Sequence, residues 1–552
     1  MSPRPILLSG YAAKSCARAT HNRYDATIPE QPTETPADLQ KLFDLGNDHE
    51  DKIFTYWLDT GVDVVDLRGL DEHKAEHITA TIAAMTTGRA VILGGRLPDD
   101  PVGGRTGKPD ALLASPSGGY HPCDVKAHKV LTSKSHSGLT STLTRPRLGD
   151  AVEHELGLRY HDRDLLQLAH YWRMLQACGH AASDPWGSII GTDYPNQPTL
   201  AWYDLDEPLF QTFSRSRGKT RRSSLERYDH EHDFRVRVAH VAQQRTGSPS
   251  DPEPLVVPVG QSECGYCAWA PVCVDTLPES DLSAALPPGK VSVREYFALR
   301  DIGITTLYDL TSADLDSVLA SSFADENTHV RGLARRLRTA RTSAELTLLD
   351  LEVRLKPGAT FDIPRADVEI DLDIEWDRNN RVYLWGALVS QAGQSTFVPF
   401  LDLQATDAET EAALARRCFD WIATTHPDAL VYHYSHAEKT QTKRILGEEV
   451  QKYRGTAAHP EMWIDLLPYV LDGFDGRDGL GLKVIAAAGA GFHWRDENPG
   501  GLQSQDWLTA ALSGDTSALQ RILDYNADDV AATRALRDWL MAVSHPASAD
   551  DT

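Results

Sequence analysis

Cysteine is scarce and unevenly spread: seven among 552 residues, with Cys264, Cys267 and Cys273 crowded together and Cys16 far upstream. That excludes a dense disulfide framework and points instead to metal ligation in a reducing, cytoplasmic setting. Long apolar runs are missing as well. No stretch of about eighteen consecutive apolar residues occurs, so no membrane-spanning helix is expected. The opening MSPRPILLSGYAAK carries only the aliphatic run Ile6 to Leu8, too short for a signal-peptide core. There are no internal repeats and no Walker phosphate loop (G-x4-G-K-[ST]), which leaves any motor activity to a separate partner. Positive charge is also short, with 55 Lys and Arg against 79 Asp and Glu and a formal net charge of -24. Such a balance argues against nonspecific coating of nucleic acid, because phosphate contacts need cations. Local distribution still permits a basic groove. Basic residues gather at Lys126, Lys129, Lys134, Arg145 and Arg147, and again from Arg215 to Arg222 (RSRGKTRR), a run expected on a loop.

Hydrophobic residues at 41% and charged residues at 24% suit a globular chain, and the length calls for more than one domain. Pro/Thr/Ser-rich stretches at 27–38 and 246–258 read as loops, and 277–290 as a boundary. The expected organisation is a domain over 1–280, a helical connector over 281–348, a domain over 349–545 and a polar tail over 546–552. The expected class is α/β (α+β), with strands and helices mixed in both domains.

Within the first domain, Leu39 to Leu58 has helical apolar spacing and carries His49-Glu50. Residues 108–114 and 121–130 read as strands around the turn Ser115 to Gly119. Asp110 and Asp124 then come from neighbouring strands of one hairpin, with Lys126 on the same face as Asp124. Two hard oxygen ligands side by side suit Mg²⁺ or Mn²⁺, and His49 or Glu50 from the helix completes the shell. The ammonium of Lys126 is placed to stabilise a pentavalent phosphate. Asp162 to Cys178 forms a further helix on which Gln167 and Tyr171 lie one turn apart.

His-Glu, Pro-Asp (109–110), Asp-x-Lys (124–126) and Gln167-x3-Tyr171, inside a Cys…C-x2-C-x5-C frame, resemble the RecB-type branch of the PD-(D/E)XK nucleases. The iron–sulfur members of that branch include the AddB nuclease domain and CRISPR-associated exonucleases. The resemblance covers about residues 5–280. It implies a restriction-endonuclease-like core, metal ligation by His49 (or Glu50), Asp110 and Asp124, Lys126 as the catalytic lysine, and Gln167 and Tyr171 positioning the DNA strand. It also implies a [4Fe-4S] cluster on Cys16, Cys264, Cys267 and Cys273. Read from the residues alone, the same cysteines suit structural zinc, with His21 able to replace Cys16. Trp269 is placed to shield the cluster, and Cys123, Cys178 and Cys418 are expected to be packing residues.

In the last domain VEIDLDIEW alternates strictly, setting Glu369, Asp371, Asp373 and Glu375 on one face of a strand. Tyr525 and Asp529 share a face of a C-terminal helix. A strand D-x-E with a terminal Y-x3-D resembles the tyrosine-bearing DEDD exonucleases of ribonuclease H-like fold. That resemblance implies two metal ions held by carboxylates and a tyrosine that positions water. The middle motif departs from the pattern: VYHYSHAEKTQTKRIL offers Glu438 where an Asp is expected, and the extra methylene moves its oxygen by about 1 Å. Asp465 is a weaker candidate, and Asp371 and Asp528 are expected to be solvated neighbours.

In the connector, Asp301-Ile302-Gly303-Ile304 resembles the hairpin of a helix-hairpin-helix module, with Gly303 leaving backbone amides free for a phosphate. Arg221 and Arg222 would wall a nucleic-acid channel. The whole arrangement resembles bacterial proteins in which a RecB-like domain precedes a ribonuclease H-like one, sometimes beside a helicase. The expectation is a metal-dependent DNA nuclease, an exonuclease acting on single strands or ends in repair, recombination or defence. The alternatives are a non-catalytic nucleic-acid scaffold for a helicase and an iron–sulfur electron carrier.

Overall fold

In the first half of the chain, alternation along one strand decides which side chains meet. The computed structural model describes residues 5–29, 35–70, 73–133, 135, 137–194, 197–214, 216, 218–404, 407–453, 463–496 and 501–544. Lys134, Arg215 and Arg217 of the basic runs and the tail lie outside them. The chain divides into two compact units, Met1–Leu337 and Arg338–Thr552.

The first unit is built on a mixed eight-stranded sheet. Its neighbours run in the order Val64–Asp66, Val91–Leu93, Ala111–Ala114, Tyr120–Val125, Trp186–Ile190, Thr199–Asp204, Gly138–Thr142 and Val152–His154. The expected hairpin is present, with Ala111 opposite Cys123 and Leu113 opposite His121. One sheet face is covered by the helix Ala37–Asp59, whose Ile53, Phe54 and Trp57 pack on Leu93, Leu113, Cys123 and Val125. The helix Asp162–Ala177 lies on the other face, where Tyr171, Met174 and Leu175 meet Leu112 and Tyr120. Because side chains alternate across a strand, Asp124, between Cys123 and Val125, projects beneath that second helix. Burial of this carboxylate follows from the pleat.

One local expectation changes. The RSRGKTRR region is no simple loop: Gly218–Arg222 pairs antiparallel with Phe210–Ser214, because the β-branched and aromatic residues of the latter supply a strand for it to pair with. The connector does contain a helix, Val293–Asp301, followed by a turn at Gly303 (φ +86°) and a helix Leu307–Ser312.

In the second unit five strands run in the order Gln394–Leu401, Val382–Gln391, Val368–Trp376, Leu430–His433 and Trp463–Asp465. The first three are antiparallel; the fourth joins the central strand in parallel, and the fifth joins the fourth likewise. The alternation read in VEIDLDIEW holds. Ile370, Leu372 and Ile374 face a core with Phe419 and Ile422 of the helix Ala408–Thr425. The acidic face turns toward the helix Thr516–Ser544. A register irregularity falls between Glu375 and Trp376, beside the acids.

Candidate active sites

In the first unit Asp110 directly precedes one hairpin strand, and the Val125 N–H of the other strand donates to its Oδ2 at 2.8 Å. Asp124 is fully buried. Lys126 Nζ lies 3.1 Å from Asp124 Oδ2, yet neither Asp124 oxygen accepts a well-formed hydrogen bond. A buried carboxylate left in this state is costly unless a cation compensates it. Burial, then the neighbouring Asp124, pushes the Asp110 carboxyl up to about 8, with Lys126 opposing and Glu50 adding to the rise. Burial works to strip the proton from Lys126, but Asp124 and Asp110 outweigh it and raise its pKa.

The choice between His49 and Glu50 acquires a structural difference. Burial raises Glu50, and its field includes Lys108, Asp124 and Lys126. The His49 ring is lowered by burial and bonds to the Gly191 backbone. Glu50 is thus the member of the pair in electrostatic reach of the two aspartates.

Gln167 and Tyr171 are brought to the same place. Gln167 Oε1 accepts from Lys14 Nζ at 2.6 Å and from Lys126 Nζ at 3.4 Å, and its amide donates to the Tyr171 hydroxyl at 3.2 Å. Burial, then Asp124 and Asp110, raises Tyr171 well above the ordinary phenol value. Sequence reasoning missed Lys14 and Tyr11. Burial, then the like charge of Lys126, lowers Lys14 to about 8, and its Nζ sits 4.3 Å from the Tyr11 ring. Nothing in the spacing of residues 11–14 relates them to Gln167. His128, His161 and Asp164 form a further group beside the site, with ligand atoms within 4.8 Å of one another. His128 Nε2 is 2.9 Å from Asp164 Oδ2, and Asp164 in turn raises Lys126.

In the second unit Asp373, Glu375 and Asp529 offer oxygens within 4.8 Å of one another. Burial, then Asp529 and Glu375, drives Asp373 well above its ordinary value. Burial and then Asp529 raises Glu375 to about 8. Asp529 rises to about 6 through burial, held back by hydrogen bonds from Trp494 and Tyr525 and by Lys483. Trp494 Nε1 donates to Asp529 Oδ1 at 2.7 Å, Asn526 donates to Asp373 Oδ2 at 2.8 Å, and Lys483 Nζ donates to the Tyr525 hydroxyl at 2.7 Å. Lys483, Trp494 and Asn526 were not foreseen; Asn526 alone had a signal, adjacency to Tyr525 on a helix already singled out.

Glu438 is buried beside His433, 3.3 Å away, and raises Asp373 electrostatically while standing outside the tight trio. Asp465 Oδ1 is occupied by the Ser435 and Leu467 N–H groups. Asp371 and Asp528 need correction, since neither is a solvated neighbour. Asp371 is fully buried and paired with Arg537 at 3.0 Å, and Asp528 is paired with Arg495 at 2.8 Å. Each takes its guanidinium from a distant position, Arg537 on the C-terminal helix and Arg495 on an exposed bend, which the local sequence pattern does not disclose.

Among the cysteines, burial raises the Cys264 thiol, and Cys16, Cys267 and Cys273 add to the rise, so the other three thiols act on Cys264. No three of these sulfurs all lie within 4.8 Å of one another. The Cys16 N–H donates to Glu263 at 2.9 Å, and Asn22 reaches Cys273 Sγ at 3.6 Å. His21 is committed elsewhere: its Nε2 is 3.1 Å from Asp25, and burial lowers it to about 4. Trp269 is buried, as are Cys123 and Cys418, while Cys178 is half-buried.

The connector turn requires a correction. The Gly303 N–H donates to the Arg300 carbonyl at 2.9 Å, Ile304 donates to Leu299, and the Thr305 and Thr306 amides donate to Asp309. The turn consumes the amides that were expected to be free for a phosphate.

Residues 370–541 match the family model described as the RNase_H superfamily. No curated protein and no solved structure matches the chain. The match covers the five-stranded sheet and the trio Asp373, Glu375 and Asp529, and it makes the C-terminal unit ribonuclease H-like, a fold that suggests nuclease-type hydrolysis of nucleic acid.

Proposed function

We propose that the chain is a metal-dependent nuclease with two hydrolytic centres, acting on DNA at single strands or ends. The observation that carries this reading is the convergence of Asp373, Glu375 and Asp529 inside the region that matches the ribonuclease H-like family. Three carboxylates this close and this buried repel one another, and a divalent cation relieves that repulsion. Glu438, whose charge acts on Asp373, is the candidate for a fourth carboxylate ligand.

When bound, Mg²⁺ or Mn²⁺ supplies Lewis-acid polarisation of the phosphodiester. Asp373, Glu375 and Asp529 would hold it in the second unit, and Asp110, Asp124 and Glu50 in the first. The donor sets fit, being hard oxygens of which both in Asp124 lack hydrogen bonds. The remaining work falls to the chain's own groups. Lys126 offers a fixed ammonium to the charge that develops on phosphate oxygens, and Gln167 keeps Lys126 and Lys14 in register. Tyr525, hydrogen-bonded to Asp529 and to Lys483, is oriented for a water at the second centre.

The RecB-like assignment of the first unit and the [4Fe-4S] cluster on Cys16, Cys264, Cys267 and Cys273 belong to this proposal. What supports shared ligation is that Cys16, far away in sequence, acts on the Cys264 thiol together with Cys267 and Cys273. Among the described residues no helix is long and apolar enough to cross a membrane. The free thiols fit the reducing cytoplasm. A role in repair, recombination or defence, with a separate helicase, rests on the family resemblance. Digestion of end-labelled single and double strands with Mn²⁺ tests the reading, and absence of hydrolysis by protein carrying its full iron complement would refute it.

A further inference from the structure

A cavity of about 1090 Å³ opens in the first unit between the strand pair at 210–222, the helices Ser224–Ala242 and Val293–Asp301, and the segment around Cys16. Its lining sets eight lysines and arginines against four carboxylates, in a chain whose formal net charge is -24. Several of these arginines are neutralised within the wall, such as Arg227 by Asp162 and Arg235 by Glu231. Four are not: among the described residues Arg18, Arg222, Arg294 and Arg300 form no ion pair, while Arg18 donates to the Val256 carbonyl at 3.1 Å and Arg294 to the Phe213 carbonyl at 2.6 Å. The interior is cationic enough to be felt by its neighbours. His329, in the lining, is lowered by burial and then by Arg294 and Lys219. Arg294 itself is lowered first by burial, with Glu326 and Glu231 opposing and Arg222 and Arg227 reinforcing the effect.

Aromatic faces stand between these charges. Phe213 and Phe297 line the cavity, with guanidinium groups 5.7 Å and 4.6 Å from their ring centres. Alternating cations and flat apolar faces are what an unpaired strand needs, phosphates meeting the former and bases stacking on the latter. A duplex offers only its backbone and groove edges to such a wall. The lining includes Lys14, whose Nζ is bonded to Gln167 beside Lys126.

We propose that this cavity seats a single nucleic-acid strand, with phosphates on Arg222, Arg294 and Arg300 and bases on Phe213 and Phe297, and leads it to Lys14 at the Asp110–Asp124 centre. Delivery to that centre rests on the hydrolytic reading above; seating of the strand does not.

The test uses full-length protein without added divalent metal and fluorescein-labelled thymidine and uridine oligomers, read by anisotropy across a salt series. R222A/R294A/R300A should bind both oligomers at least roughly tenfold more weakly, and its log–log salt slope should be shallower by about 2, near 0.7 for each phosphate no longer neutralised. R222K/R294K/R300K, which keeps the charge, should restore most of the slope. F213A/F297A should weaken binding with the slope unchanged. Affinity and slope equal to wild type in R222A/R294A/R300A would overturn the proposal, as would stronger competition by duplex than by single strands. Preference between the thymidine and uridine probes distinguishes DNA from RNA. Hydrolysis of bis(p-nitrophenyl) phosphate with Mn²⁺, which needs no channel, separates the two claims. If it is absent in wild type while the arginine dependence of binding holds, the hydrolytic reading fails alone. If it is intact while the arginines are silent, the channel fails alone.

Discussion

Arg537 donates to Asp371 across 3.0 Å with both side chains fully buried, and this pairing divides the acidic face of one strand into two halves. Glu369 and Asp371 share the guanidinium of Arg537, with Arg365 adding a second for Glu369. Asp373 and Glu375, further along the same face, converge instead on a third carboxylate, Asp529. One half is neutralised by guanidinium groups within the protein, and the other gathers three carboxylates with none.

Replacing Arg537 by Met should therefore cost stability without touching the trio. Asp371 would lose its partner outright and Glu369 one of its two guanidinium groups, a change on the order of 3–5 kcal/mol. Urea unfolding followed by circular dichroism measures it. A loss under about 1 kcal/mol would mean that water or another cation already serves these acids.

The trio should behave in the opposite sense. Asp373→Asn with Asp529→Asn removes repulsion, so metal-free protein should melt higher than wild type. The same variant should lose the second unit's share of the stabilisation that Mn²⁺ confers, about 2.7 kcal/mol at a hundredfold excess over Kd, and keep the share of the Asp110–Asp124 centre. Differential scanning calorimetry with and without Mn²⁺ reads both effects. A variant that gains as much from Mn²⁺ as wild type would place the second unit's ion elsewhere.

Much of this was legible in the sequence because period-two alternation and i, i+4 spacing are local. The acidic face of VEIDLDIEW, the Asp110–Asp124 hairpin and the helical pairs Gln167/Tyr171 and Tyr525/Asp529 all follow from such spacing. What stayed hidden depends on contacts between distant elements. Lys14 reaches Gln167 across 153 positions, and Arg537 reaches Asp371 across 166. The same blindness made Asp371 look solvated. The amides around Gly303 failed for a different reason: the turn that exposes a glycine also closes its own hydrogen bonds.

Two buried imidazoles make the first unit acid-sensitive. Burial, then His232, lowers His170 to about 3, and burial lowers His232 to about 4. His170 Nε2 donates to the Thr106 carbonyl at 3.1 Å, so Nδ1 accepts from the Tyr228 hydroxyl at 2.8 Å and has no room for a proton. Both folded values lie below the unfolded value near 6.5, so the stability they contribute is complete above that pH and is lost as pH falls toward 4 and 3. Near pH 5 the loss should reach roughly 2 kcal/mol for each ring. Urea midpoints for wild type and His170→Gln at pH 7.5 and 5 test it; an equal acid loss in both would remove His170 from the explanation.

Cysteine substitution should sort the thiols. Cys16→Ser should lower bound iron and the visible absorption of anaerobically purified protein, whereas Cys178→Ser should leave both at wild-type levels. Equal iron in the two variants would detach Cys16 from the cluster.

The most direct measurement is Mn²⁺-dependent digestion of end-labelled DNA by wild type, Lys126→Ala, Asp373→Asn/Asp529→Asn and the combination of all three substitutions. Two hydrolytic centres predict that each set removes part of the activity, with a different change in product pattern, and that the combination removes all of it. Full digestion by the combined variant would contradict the account.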